Sequence, residues 1–168
     1  FVFENVTGLL SARVDGGLIF PRVIHALGKR YKVIDDPAIL VHNTADYGVP
    51  QIRKRVIIMG VRDDIDEKDA IDLYNAVRKT HYDPEMPENE RHGLQRFVDV
   101  HDALSDLPPV EPGQDASSDA FDYPCNNAFL RRIGKPGIHP LMDHLARNHN
   151  EVDRERFRVM IEHHWNFG

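Results

Sequence analysis

The sequence predicts an α/β fold, an open sheet with helices packed on it, followed by a linker and a helical segment. Three observations carry this expectation. Strand-length apolar runs occur at Phe1-Val2-Phe3, Tyr31-Lys32-Val33-Ile34 and Val56-Ile57-Ile58-Met59. Between the first two, Phe20, Ile24 and Leu27 recur at helical spacing. Strands alternating with helices are the pattern of a layered α/β sheet. Finally, Glu111 to Asp122 is rich in Gly, Ser, Asp and Pro and lacks Lys and Arg, which marks a linker or mobile loop.

Taken in order, Phe1-Val2-Phe3 reads as the end of a buried strand, and Thr7-Gly8 as a turn. Asp15 is the candidate N-cap of the first helix and Gly28 its stop. Pro21 fits that helix only if it begins near Phe20. Tyr31–Ile34 and Ala38–Val41 read as strand pieces broken by Asp35-Asp36-Pro37. Asn43 to Gly48 reads as one capped helical turn, and Val49-Pro50 as extended chain. Arg55 to Val61 is a strand whose consecutive apolar residues predict burial on both faces. The acidic run Asp63–Glu67 suits the positive end of the next helix dipole, with Ala70, Tyr74 and Val77 on its apolar face and Arg78-Lys79 at its other end. Residues 80–93 read as loop, Phe97–Val100 as extended, and Asp102–Leu107 as a short helix stopped by Pro108-Pro109. Val152–Ile161 is helical, with Phe157 and Ile161 on one face.

Composition narrows the function classes. Hydrophobic residues make up 41% and charged residues 29% of the 168, ordinary for a globular protein in water. No apolar run approaches a membrane span and no signal peptide is visible, so a cytoplasmic protein with no membrane partner is expected. The lone Cys125 cannot form an intrachain disulfide and fits a reducing compartment. A net charge of −6 argues against a surface coated for non-specific nucleic-acid binding, so any such contact must be local. The ten His residues are scattered apart from His163-His164, and no metal site is expected.

Two short stretches carry the chemistry. Glu4-Asn5-Val6 puts a carboxylate at the end of an apolar strand, where ligands bind in open α/β sheets. Gln51-Ile52-Arg53-Lys54-Arg55 puts two guanidinium forks at the start of another strand. Arg53 and Arg55 alternate, so on extended chain they face one side and Lys54 the other. Such a pair suits phosphate or base-edge recognition. Taken singly, each stretch also has a bland reading: Glu4 as a cap of the next turn, the arginines as ordinary surface charges in a salt-bridged strand.

Together, in this order, they resemble the C5-cytosine DNA methyltransferases, which carry a Glu-Asn-Val motif and, downstream, a Gln-x-Arg-x-Arg motif. Asn43–Pro50, Val100–Pro108 and His144–Phe157 are similar to further segments of that family, so the resemblance covers nearly the whole chain. It implies a truncated Rossmann-like methyltransferase sheet. Residues 1–110 would be the C-terminal part of the catalytic domain, and residues 111–168 a linker and the start of the target-recognition region. It implies methyl transfer from S-adenosylmethionine to C5 of a cytosine flipped out of double-stranded DNA, in a restriction-modification or regulatory setting, and nucleoid association if the source is bacterial. Glu4 would hold N3 and the exocyclic amine, and Arg55 the O2 region. Arg53 would meet the DNA backbone or the active-site loop, Gln51 would hold local backbone, and Asn5 and Val6 would shape the pocket.

In that family the Gly-rich cofactor loop and the Pro-Cys nucleophile loop precede Glu-Asn-Val, whereas this chain begins at Phe1. The resemblance therefore implies an internal piece that is inactive alone, does not bind S-adenosylmethionine, and self-associates through its apolar edge. A subunit of a split enzyme and a non-catalytic DNA-binding or regulatory relative are the alternatives. Pro124-Cys125 imitates the nucleophile pair but lies after the arginine motif and has no Lys or Arg within five residues, so a packing role is expected for Cys125.

Overall fold

The computed structural model describes residues 1–65, 69–134 and 136–163. Asp66 and Glu67 of the acidic run, and His164 of the His pair, lie outside the described residues. The chain divides into two compact units, Phe1–Val100 and His101–Gly168. Its class is mixed α/β, with small sheets and short helices.

The first unit begins with β1 (Val2–Val6), then the two-residue strands β2 (Arg13–Val14) and β3 (Gly17–Leu18), helix α1 (Ile19–Leu27) and β4 (Tyr31–Val33). It continues with the helical turn α2 (Pro37–Leu40), β5 (Val41–Asn43), the long strand β6 (Lys54–Arg62), α3 (Ala70–Ala76), β7 (His81–Tyr82) and β8 (Gln95–Arg96). Strand β6 is the hub. Arg55 and Val56 pair on both sides, with Val6 and Asn5 of β1 and with His42 and Val41 of β5. Further along the second side, β4 pairs with Gly60–Arg62. All three pairings are antiparallel. It follows that β1 runs parallel to β4 and β5, with β6 reversed between them.

Ile57–Met59 have no strand partner on the β4–β5 side, because α2 interrupts it. The Tyr74 hydroxyl fills that gap, accepting from Met59 N at 2.7 Å and donating to the Ile57 carbonyl at 3.0 Å. Leaving these backbone groups unpaired in a buried setting would be costly. The core beneath the sheet is Phe20, Leu40, Val56, Ile58, Met59 and Tyr74. Along β6, Val56 and Ile58–Val61 are buried as its apolar run predicts, while Ile57 is only half-buried.

Several local expectations are corrected. Asp15 is not a helix cap: Asp15 and Gly16 have φ of 52° and 77° and form the tight turn between β2 and β3. Helix α1 starts at Ile19, which puts Pro21 in its first turn, where its missing N–H is tolerated. Ala38–Leu40 is helical rather than extended, because Asp36 accepts from Ala38 N and Pro37 occupies the first turn. The strand piece begins only at Val41. Strand β1 is not buried within this chain: Phe1 and Phe3 are over a third exposed and Val2 is 69% exposed. Helix α3 starts at Ala70 behind an Asp69–Asp72 capping box. The 80–93 loop contains β7, which pairs in parallel with β8.

At the division, α4 (Val100–Leu104) takes in Val100, expected as extended, and stops short of Leu107. The second unit continues with β9 (Ser118–Tyr123), α5 (Ala128–Ile133), β10 (Gly137–Leu141) and α6 (Glu151–Glu162). Strands β9 and β10 form an antiparallel pair, so the end of the expected linker, from Ser118 on, is strand. Asn127 caps α5 by accepting from Leu130 N at 2.9 Å, and its amide donates to the Asp102 carbonyl and Ser105 Oγ. Cys125 is a buried free thiol at φ 43°. No described helix is long and apolar enough to cross a membrane.

Candidate functional site

Alternation along β6 places Arg55, Ile57 and Met59 on one face of the sheet. Register extends that face sideways: Glu4 lies opposite Ile57, and His42 lies opposite Arg55. These side chains, with Thr44, Tyr47, Arg53 and Val77, line a cavity of about 370 Å³. One carboxylate and two guanidinium groups thus meet at a wall that is otherwise largely apolar.

Glu4 and Arg55 are joined across β1 and β6, with Arg55 Nε 2.9 Å from Glu4 Oε1. The Arg55 side chain is only 17% exposed, whereas Glu4 is 56% exposed. Arg55 also donates through Nη1 to the Lys54 carbonyl at 2.9 Å, which holds its guanidinium plane. A half-exposed pair of this kind adds little to stability, of order 0–1 kcal/mol. Its interest lies in orientation: the less exposed guanidinium is fixed beside an accessible carboxylate.

The turn before β6 is shaped by Asn43, whose Oδ1 accepts from Ala45 N and, at 3.1 Å, from Arg53 N. Thr44 N donates to the Arg53 carbonyl, and Thr44 Oγ1 to the Gln51 carbonyl. Gly48 closes the turn at φ 83°, and a Cβ there would lie 2.5 Å from the His81 ring. Both the positive φ and the close approach require glycine. The turn brings Tyr47 back against the cavity.

Of the residues singled out from sequence, the structure brings Glu4, Arg53 and Arg55 together. Asn5 pairs with Val56 on the opposite face, and its Oδ1 accepts from Val6 N at 2.8 Å. Val6 is half exposed, Gln51 is exposed, and neither lines the cavity. Lys54 is likewise off the wall. Among the described residues, no group of three His, Cys, Asp or Glu could hold a metal ion.

Sequence reasoning missed His42, Thr44, Tyr47 and the apolar lining. His42 Nδ1 is 2.6 Å from the Tyr47 hydroxyl, and its ring stacks on Tyr74 at 6.1 Å. Burial, with a contribution from the Lys79 charge, holds the His42 pKa below the ordinary imidazole value despite Asp46. Burial, assisted by Asp46, raises that of the Tyr47 phenol. Both side chains are therefore neutral at physiological pH. His42 could have been found only from the register that sets β5 beside Arg55, which the sequence does not display.

The chain matches the C-5 cytosine-specific DNA methylase family over residues 1–136. Its relatives include the Type II methyltransferase M.BspRI of Lysinibacillus sphaericus, 38% identical over 114 residues, which are 67% of this chain and 22% of that protein. The Type II methyltransferase M.Bpa9945I of Bacillus paralicheniformis is 30% identical over 178 aligned residues, covering 97% of this chain and 35% of the relative. M.DdeI of Desulfomicrobium norvegicum, another Type II methyltransferase, is 27% identical over 95% of this chain and 34% of its own length. The chain thus spans about a third or less of the length of these relatives.

Proposed function

Because the chain belongs to the C-5 cytosine-specific DNA methylase family, we propose that the protein carrying it methylates cytosine C5 in double-stranded DNA, as one half of a restriction-modification pair. The observation that carries the reading is the Glu4–Arg55 pair set in the wall of a cavity of about 370 Å³, large enough to admit a base. Cytosine C5 is a weak nucleophile, and addition of a thiolate at C6 makes it enamine-like. That addition becomes easier when N3 is protonated or hydrogen bonded. The half-exposed Glu4 carboxyl serves the N3 and exocyclic amine edge, and Arg55 the O2 where negative charge develops. Arg53, more exposed at the rim, meets phosphate. Asn5, Val6 and Gln51 shape the strand ends around the pocket. The base reaches the cavity only by leaving the duplex stack.

Family membership implies S-adenosylmethionine as methyl donor. This cavity does not fit it: two guanidinium groups face one carboxylate, and the surplus positive charge disfavours a sulfonium. Cys125, 3% exposed, is inaccessible as a nucleophile and is assigned to packing. The parallel course of β1 and β4, with helix α1 between them and one reversed strand inserted, supports a Rossmann-like sheet carrying an antiparallel member. Residues after about Glu111 serve as the bridge toward target recognition.

The test is single-turnover methylation and DNA binding by the protein carrying this chain. Glu4→Gln and Arg55→Ala should each slow the chemical step by about 10²–10³-fold while leaving binding nearly intact. Arg53→Ala should instead weaken binding and flatten its salt dependence. The same ion pair favours a second reading, a structural clamp between β1 and β6 in a non-catalytic relative. Wild-type rates in both Glu4→Gln and Arg55→Ala would leave the pair only the clamp role, and no methylation by the unsubstituted protein would establish the non-catalytic relative.

A further inference from the structure

The second unit holds a cavity of its own, of about 450 Å³. Leu107, Leu130, Ile133 and Pro140 make its walls largely apolar, and Tyr123 and His139 add two rings. Asp106 lines the same cavity and is only 8% exposed. Its carboxylate has no hydrogen-bond or ion-pair partner among the described residues. It is nevertheless not sealed in. Among the described residues the side-chain polar atom that is both sealed and unpaired is His42 Nε2, so the Asp106 oxygens open on the cavity. The chain holds them there, because Leu107 N donates to the Leu104 carbonyl at 3.1 Å and closes the turn that follows α4. Tyr123 does not serve Asp106, since its hydroxyl donates to the Pro140 carbonyl at 3.3 Å. Its ring lies 6.5 Å from that of His139, tilted by 42°. A carboxylate kept this deep among apolar groups without a counter-charge is costly, and a cation that enters the cavity removes that cost.

We propose that this cavity is a binding site for a guanidinium group on a short apolar stem, with Asp106 as its counter-ion. A guanidinium suits it better than an ammonium. It is more weakly hydrated, its paired N–H groups match the two oxygens of a carboxylate, and its flat face packs on aromatic rings. The apolar walls cover the stem. Phosphate is repelled by the carboxylate, so the site is not a contact for the DNA backbone. An arginine side chain of a protein segment and a free alkylguanidine share this chemistry. The inference is independent of the base-site reading, for the two cavities have no residue in common.

Titration calorimetry on the protein carrying this chain tests it, with n-propylguanidinium and N-acetyl-arginine methylamide as probes and the neutral n-propylurea as control. Both cations should bind, and the urea should not. Tighter binding of the arginine amide marks a protein segment as the source, and equal binding marks a free guanidine. Asp106→Asn should weaken both cations about 10–100-fold, the loss of one charge-assisted contact, and Asp106→Glu should keep part of the affinity. The melting temperature of Asp106→Asn should hold or rise, since an uncompensated buried charge has been removed. Equal binding of the urea would mean an apolar pocket only, and overturns the proposal. So does unchanged affinity in Asp106→Asn, a fall in its melting temperature, or no binding of either cation. Binding that appears only after Lys135→Met, at a position outside the described residues, would assign the site to the chain's own ammonium and overturn it as well.

Discussion

In residues 1–100, Leu40, Val56 and Ile58 are fully buried, and Phe20, Met59 and Tyr74 complete a single core around β6. Among the described residues of 101–163, the buried apolar side chains are Cys125, Leu130 and Leu141, while Leu104, Ile133, Ile138, Met142, Leu145 and Ile161 are each more than half exposed. Polar ties hold the second unit instead. Asn127 bonds Leu130 N, the Asp102 carbonyl and Ser105 Oγ, and His144 bonds Ser117 Oγ and lies 2.8 Å from the Pro108 carbonyl. The difference teaches where geometry can be held tightly. A carboxylate and a guanidinium keep their orientation when the strands beneath them are locked by close packing. Arg55 stands on such a strand, β6, and the exposed Glu4 is oriented by its pairing and its ion pair across to it.

Substitutions in the two units break or sharpen that contrast. Ile58→Ala opens a cavity in the packed core and should destabilise the first unit by about 2–5 kcal/mol. Residue-resolved hydrogen exchange reads this directly, and unchanged protection in β6 would mean that the core is looser than its burial indicates. Asn127→Ala removes a helix cap and its ties to Asp102 and Ser105, and should cost the second unit about 1–3 kcal/mol in the same measurement. A loss below about 0.5 kcal/mol would show that polar ties do not carry this unit. Ile161, 75% exposed on α6, should tolerate alanine within about 0.5 kcal/mol of zero. A larger loss on urea unfolding would reveal apolar packing that the structure does not contain.

The chemistry was legible where it depends on neighbours in the chain. Arg53 and Arg55 share a face because strand side chains alternate, and both line the cavity. Asn43 and Gly48 bracket a turn because each has a local backbone role: an acceptor at the start, a positive φ at the end. The order of Glu4-Asn5-Val6 and Gln51–Arg55 was enough to identify the family, which the match over residues 1–136 establishes. Local reading failed where two local rules competed. Asp15 looks like a helix cap, but Asp-Gly also favours a tight hairpin turn, and pairing of β2 with β3 decided for the turn. Asp36-Pro37 was read as a break between strands, yet an Asx cap followed by proline also starts a helix.

By itself, then, the sequence determined the α/β class, the family, the shared face of the two arginines and the burial of most of β6. These follow from chain order, side-chain alternation and residue chemistry, all of which act over a few residues. Only the tertiary structure decided that β6 runs antiparallel to β1, β4 and β5, that Glu4 meets Arg55, and that His42 and Tyr47 join the same wall. Each depends on strand register between segments some 10 to 60 residues apart in the chain. Register is selected by the summed packing of a whole face, and a one-residue slip would send every one of those side chains to the other side.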